Sequence, residues 1–157
     1  MKEKLLAWYD YNCWANERVL DHLQTVPADI FVKDVNLGFQ SISHVLGHIA
    51  TADRIWYSRI SKGISPSSLE FTPYRNVEEA RIDFLNNKQS MRAFIESASI
   101  EQTVSYKNTS GQPFEHTIEQ IVQHVVNHGT YHRGNITTML RFLGYAGVKT
   151  DYIAFLR

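Results

Sequence analysis

The sequence predicts an all-α protein, a four-helix bundle with a short β-hairpin before the last long helix. Four stretches carry apolar residues at the spacing of amphipathic helices. The stretch between the third and the fourth of them breaks this pattern. The 157 residues suit one domain, so residues 1–157 are predicted to form a single helical-bundle domain.

The first two helices are predicted over residues 3–25 and 41–61, where one face of each is apolar. The face of the first helix also carries two asparagines, Asn12 and Asn16. Gly63 is suited to end the second helix, because glycine readily adopts the left-handed conformation found after helix ends.

A loop containing glycine, proline and serine is predicted over 63–75, followed by a third helix over 77–97. Asn76 followed by Glu79 resembles a capping box, in which side chains bond the free N–H groups of the first turn. The apolar spacing of this helix is looser than that of the second helix.

Residues 102–116 alternate around two apolar positions and contain a turn, which predicts a short hairpin. The fourth helix is predicted over 118–143, with Thr117 and Gln120 as its capping box. The tail at 151–156 is apolar enough to dock on the body of the protein. The connections are long enough for consecutive helices to be non-adjacent, so spacing alone leaves the topology open.

The composition argues against several classes of partner. Lys plus Arg and Asp plus Glu number 16 each, so no basic excess indicates nucleic acid or a membrane surface. Cys13 is the one cysteine, which excludes an internal disulfide and fits a reducing compartment. The N-terminal stretch contains Glu3, Asp10 and Glu17 and has no unbroken apolar region, so it does not resemble a signal peptide. We therefore expect a soluble cytoplasmic protein.

Three histidines of the fourth helix lie four residues apart, but they do not share one face. At about 100° per residue from Ile121, His128 and His132 fall within about 20° of the apolar stripe. His124 falls about 60° away, on the edge of the stripe. The pair therefore points into the bundle, while His124 is expected to support the pair or to play a structural role.

Two interpretations of the inward-facing pair remain open. Each histidine could be a core residue with an ordinary hydrogen-bond partner. Alternatively, the i, i+4 spacing lets both neutral rings reach one metal ion, which would offset the roughly 1–3 kcal/mol cost of burying an unpartnered polar group.

A third ligand must come from another helix. His48 on the second helix lies nearer the apolar stripe than His44, which is expected to support the site or to be exposed. Asp53 lies on the opposite flank and is predicted to be a surface carboxylate or one that supports a ligand.

The predicted metal ligands are therefore His48, His128 and His132. Three histidines leave a coordination position open for water or substrate, and Cys13 alone cannot close the site. Zinc, nickel, copper and iron all suit imidazole, and we expect zinc or nickel first.

Four segments, taken in order, resemble the DinB-like family of damage-inducible, metal-binding four-helix bundles. They are YNCWANERVL (11–20), SISHVLGHIATADRIWYSRI (41–60), VNHGTYHRGNITTMLRFLG (126–144) and DYIAFL (151–156). The resemblance covers nearly the whole chain. Its most specific features are the HI-x-x-AD-x-x-W and H-x-x-x-HRG patterns taken together.

The resemblance implies the same metal triad, because the family takes one histidine from its second helix and an H-x-x-x-H pair from its last. It also implies an up-down-down-up bundle, often a homodimer. The family lies beside bacillithiol- and mycothiol-dependent transferases, which use the metal to activate a thiol. The expected partners are therefore a small-molecule substrate and, as the resemblance implies, a low-molecular-weight thiol.

Three functions remain open from the sequence. The first is a metal-dependent transferase or hydrolase acting on a small molecule. The second is a non-catalytic metal-binding or stress-response protein, and the third is a structural bundle without metal. The sequence names neither the substrate nor the physiological metal.

Other polar residues have simpler expected roles. Asn12 and Asn16 would bond the backbone or each other, or else orient a substrate or a ligand's second nitrogen. Tyr131 is expected to pack between helices, and Arg133 to form a structural salt bridge. Cys13 is expected to be a buried small residue. Five aromatic residues are assigned to the core or a dimer interface: Trp8, Trp14, Trp56, Phe84 and Phe94.

Overall fold

The computed structural model describes residues 1–66 and 71–157. Its four long helices are α1 (Lys2–Leu23), α2 (Ile42–Lys62), α3 (Val77–Ser97) and α4 (Ile118–Phe142). The antiparallel strands β1 (Thr103–Lys107) and β2 (Pro113–Thr117) form a hairpin before α4, and a short helix, α5 (Tyr152–Phe155), ends the chain.

The predicted fold class is confirmed, and each long helix begins and ends within two residues of its predicted bounds. A 3-10 turn over Ala28–Phe31 was not predicted. Residues 67–70 of the predicted loop 63–75 lie outside the described residues. No helix in the described part of the chain combines the length and the apolar character needed to cross a membrane.

Two apolar clusters at opposite ends of the bundle define the directions of the helices. One cluster brings together residues from all four long helices: Leu5, Ile60, Ile95 and Ile121. The other cluster lies at the opposite end of the bundle and also contains residues from all four long helices: Leu20, Ile42, Ala80 and Met139. Helices α1 and α4 therefore run in one direction and α2 and α3 in the other. This is the up-down-down-up topology that the family resemblance implies.

Side-chain caps explain where the long helices begin. The side chains of Asn76 and Thr117 accept hydrogen bonds from the backbone N–H three residues later. Gln120 completes the predicted capping box with Thr117. Glu79 does not complete the other box, because its carboxylate instead accepts from the backbone N–H and guanidinium of Arg75.

The apolar tail docks on α1, as predicted. The ring of Tyr152 stacks on that of Trp8 with centroids 4.9 Å apart, and the Tyr11 hydroxyl donates to the Thr150 carbonyl at 2.9 Å. Trp8 nevertheless remains 40% exposed. Trp8, assigned to the core or a dimer interface, therefore lies outside the core, and its ring stacks on α5 instead.

A buried guanidinium joins α4 to α1. Arg133 is 2% exposed, and its Nη1 donates to Oδ1 of Asn12 at 2.7 Å and to Oδ1 of Asn16 at 2.8 Å. Its Nη2 donates to the Thr130 hydroxyl at 2.9 Å. The expectation that Arg133 forms a salt bridge is wrong, as is the expectation that Asn12 and Asn16 bond the backbone or each other. Their amide oxygens instead accept from this guanidinium.

The close approach of α1 and α4 at this layer predicts a large effect of Gly129→Ala. A Cβ at Gly129 would lie 2.5 Å from Asn12 Oδ1 and 2.8 Å from Arg133 Nη1. We expect the free energy of unfolding, measured by urea titration, to fall by about 1–3 kcal/mol, as in other overpacked cores.

Gly134→Ala is the matched control on the same helix, because a Cβ there meets nothing within 4 Å. This control should be neutral or should raise the free energy of unfolding by up to about 1 kcal/mol. Equal unfolding midpoints for the two variants would contradict the close approach.

Candidate metal centre

Three imidazole rings meet at the seam between α2 and α4. His48 comes from α2, while His128 and His132 lie one turn apart on α4. Each ring offers a ligand atom, and these atoms lie within 4.8 Å of one another. The structure thus brings together the three residues that the sequence singled out, and this cluster could hold a metal ion.

The spacing of the rings suits a small divalent ion. Nε2 of His48 and Nε2 of His128 lie 3.1 Å apart. A tetrahedral zinc ion with Zn–N bonds of about 2.0–2.1 Å holds neighbouring nitrogens roughly 3.3 Å apart. These two nitrogens therefore already lie close to the separation that such an ion requires.

The surroundings leave the rings few other polar partners. Phe39 packs against the rings of His48 and His132, with centroids 5.4 Å and 5.3 Å away. Nδ1 of His128 is buried and has no hydrogen-bond partner in the described chain. Its polar contact is made through Nε2, which faces His48.

Burial keeps these rings neutral near neutral pH. Burial, followed by the repulsion of the neighbouring histidines, lowers the pKa of His128 to about 3. Burial and the proximity of His48 lower the pKa of His132 to about 4, and burial lowers that of His48. Neutral imidazole is the form that binds metal ions.

Asn135 supports the site and was missed in the sequence. Its side-chain amide lies 3.2 Å from Nδ1 of His132, which fixes the plane of that ring. An amide can turn either its NH₂ or its oxygen to a ring nitrogen, so Asn135 can also accept from an Nδ1–H when Nε2 is a ligand. Its position three residues after His132 was the available signal.

The neighbouring histidines lie outside the cluster. The ring of His124 is exposed and packs on Trp56 with centroids 4.9 Å apart, while its distance to the His128 ring is 6.0 Å. Nδ1 of His44 lies 2.8 Å from the hydroxyl of Ser41 at the beginning of α2. His124 thus extends the seam beyond the cluster, and His44 has a local role at the helix end.

Tyr131 is an exposed residue beside the site. Its side chain is 70% exposed, and its ring lies 4.9 Å from that of His132. The expectation that Tyr131 packs between helices is wrong, because its position on α4 faces away from α1 and α2. It forms an exposed wall next to a candidate ligand.

Two residues of the predicted set lie on the far side of the core. Asp53 is 4% exposed and borders α1 and α3, so its prediction as a surface carboxylate or a support for the ligands is wrong. Burial raises the pKa of Asp53 to about 7 against the opposing effect of Arg133. Cys13 is buried as predicted, and burial raises the pKa of its thiol to about 12.

A cavity of about 300 Å³ continues the α2–α4 seam from the histidine cluster towards the hairpin. Aromatic and imidazole rings line it, including those of Trp56, Tyr106, His116 and His124. The guanidinium of Arg59 stacks over Trp56 and Tyr106, with ring centroids 4.4 Å and 5.0 Å away. This cavity has room for a small molecule; none of the three clustered histidines lines it, but His124, which does, has its ring 6.0 Å from that of His128.

Comparison with known proteins agrees with this architecture. The model of the DinB family matches residues 1–157. The chain belongs to the DinB family. It is 35% identical over 164 residues to Protein DinB of Bacillus subtilis, covering 99% of this chain and 95% of that protein.

A DinB-like protein from Bacillus cereus shares the fold, with a TM-score of 0.68 and 16% sequence identity. The match covers 95% of both chains. The DinB fold of this chain is thus shown by sequence and by structure.

The contact between Asn135 and His132 predicts a specific effect of Asn135→Ala on metal affinity. Loss of a group that orients a ligand typically weakens metal binding by about 10- to 100-fold. We expect that loss for zinc, measured by competition with a chromophoric chelator, without a change in the helical circular dichroism spectrum.

Asn127→Ala provides the control, because Asn127 is an exposed asparagine of the same helix. It should bind zinc as tightly as the unchanged protein. The orienting role of Asn135 is contradicted by equal zinc affinities of the two variants.

Proposed function

We propose that this protein is a metal-dependent enzyme that transfers or hydrolyses a small molecule. In this proposal His48, His128 and His132 bind one divalent ion, zinc or nickel first, and a low-molecular-weight thiol or water is the nucleophile. One observation carries the proposal: in the described chain the cluster has three imidazoles and no fourth side-chain ligand. Structural zinc sites are usually closed by four protein ligands.

A divalent ion in such an open site lowers the pKa of a bound water or thiol and so supplies a nucleophile near neutral pH. The chain's own residues would prepare this chemistry. The three histidines present unprotonated nitrogens because burial lowers their pKa values. Asn135 holds the His132 ring in place, and Phe39 excludes water from the inner side of the cluster.

The seam beside the cluster supports a small organic substrate. Trp56 and Tyr106 lie edge to face with centroids 5.1 Å apart, and the stacked Arg59 leaves a positive charge beside them. Such rings bind flat or apolar groups, and the guanidinium favours an anionic substituent. The substrate would thus lie along the seam, with its reactive end at the histidines.

The homodimer and the cytoplasmic location stay predictions. Ile153 and Leu156 of the docked tail are 60% and 58% exposed. Exposed apolar groups of this kind are what a second copy covers in a dimer.

Metal content and turnover together test the proposed function. We expect one equivalent of zinc or nickel per chain, and metal content at background for His128→Ala, because two imidazoles bind much more weakly than three. His124→Ala should retain the metal, since His124 lies outside the cluster. The metal-loaded protein should turn over electrophiles with a cellular thiol, or hydrolyse them, and His128→Ala should not.

Two results would contradict this proposal. If the unchanged protein contains only background metal, the remaining hypothesis is a structural bundle without metal. Full metal loading without turnover of any electrophile with any cellular thiol or water, together with a sharp drop of Tm on metal removal, would favour a non-catalytic metal-binding protein.

A further inference from the structure

A second cavity, of about 210 Å³, lies between α1 and α3, across the core from the histidine cluster. None of the three histidines lines it. Its walls are largely apolar and include Leu20, Phe84 and Leu85. Because an engineered cavity of roughly 150 Å³ binds benzene, this one has room for a one-ring molecule.

A buried carboxylate without a hydrogen bond forms part of the cavity wall. Asp53 is 4% exposed, and its Oδ1 has no hydrogen-bond partner in the described chain. Leaving a buried acceptor unpaired is costly, and buried polar groups in native proteins are nearly always satisfied. A molecule bound in the cavity could therefore satisfy this carboxylate by donating a hydrogen bond to it.

The same cavity offers free donors. Asn12 and Asn16 line it, and their Oδ1 atoms already accept from Arg133. Within the described residues neither Nδ2 group donates a hydrogen bond, so both NH₂ groups remain available. A ligand whose polar group, here called its head, both donates and accepts hydrogen bonds would satisfy the two asparagines and Asp53 together.

The ionisable groups buried beside the cavity favour a ligand whose polar head is neutral. Neither Arg133 nor Asp53 forms an ion pair with the described side chains around it, and burial disfavours the charged form of each, as the directions of their pKa shifts show. A further charge in this buried layer is therefore disfavoured. A charged ligand would leave one uncompensated charge in the core, which is expensive in a medium of low dielectric constant.

We propose that this cavity binds a small neutral molecule with a one-ring apolar body and a carboxamide-type head. The N–H of the head donates to Asp53, and its oxygen accepts from Asn12 or Asn16. The ring occupies the space between Leu20, Phe84 and Leu85. This site goes beyond the proposed function and does not depend on it, because it uses none of the histidines.

Benzamide, acetophenone and benzylamine test the recognition of the head by titration calorimetry or ligand-observed NMR on the full-length, zinc-loaded protein. Acetophenone has the shape of benzamide with a methyl group in place of the NH₂. We expect benzamide to bind at least about tenfold more tightly than either of the others, since a hydrogen bond to a charged group has that effect. Asp53→Leu should abolish the preference over acetophenone.

A second pair of variants tests the location without altering the buried layer. Leu85 and Ile82 are 49% and 55% exposed on α3, but only Leu85 lines the cavity. Leu85→Trp should fill the mouth and weaken benzamide binding at least about tenfold. Ile82→Trp should leave the binding unchanged.

Several results would overturn the proposal. Tighter binding of benzylamine would mean that Asp53 selects a cation, and equal binding of benzamide and acetophenone would remove the role of Asp53. Binding that persists in Leu85→Trp, or that is lost in Ile82→Trp, would place the ligand elsewhere. No binding of benzamide up to its solubility limit would mean that the cavity holds water alone.

Discussion

The rotation of α4 about its axis is the constraint on which both polar regions of this bundle depend. Consecutive helical residues point about 100° apart, so Arg133 and His132 cannot face the same neighbour. The hydrogen bonds from Arg133 to Asn12 and Asn16 direct one side of α4 towards α1. The adjacent side, with His128 and His132, then faces α2 and His48.

This arrangement divides the core into two parts with different electrostatics. At the α2–α4 seam the rings are neutral, because burial and mutual repulsion disfavour their protonated forms. On the side of the core that faces α1, the buried polar groups are instead the Arg133 guanidinium, which bonds Asn12 and Asn16, and the Asp53 carboxyl, which lines the α1–α3 cavity. Neutral nitrogens favour a divalent cation, whereas this second layer favours a neutral guest.

The repeated apolar pattern allowed the helices to be predicted, because each long helix buries one stripe, and α3 and α4 also begin at recognisable caps. The same angular reasoning identified His48, His128 and His132, since ligands from two helices must point into one seam. The direction of α2 relative to α3 could not be derived from spacing. It came from the family resemblance, and the end clusters of the core confirm it.

Pairwise contacts were beyond the reach of helical periodicity. Asp53 lies near the edge of its stripe, and only the packing of α1 and α3 decides that this flank is buried. The partners of Arg133 lie more than a hundred residues away on α1, so no local pattern could distinguish amide oxygens from a carboxylate. Asn135 follows His132 by three residues, but a contact there depends on the ring orientation of the histidine.

X-ray absorption spectroscopy of the zinc-loaded protein tests the central claim most directly, because it counts the ligands of the ion. We expect three imidazole nitrogens at about 2.0–2.1 Å and a remaining ligand that the protein does not supply. Replacing His48 by alanine should remove one imidazole from that count or release the ion. A spectrum with four protein ligands, or one that His48→Ala leaves unchanged, would contradict an open site held by His48, His128 and His132.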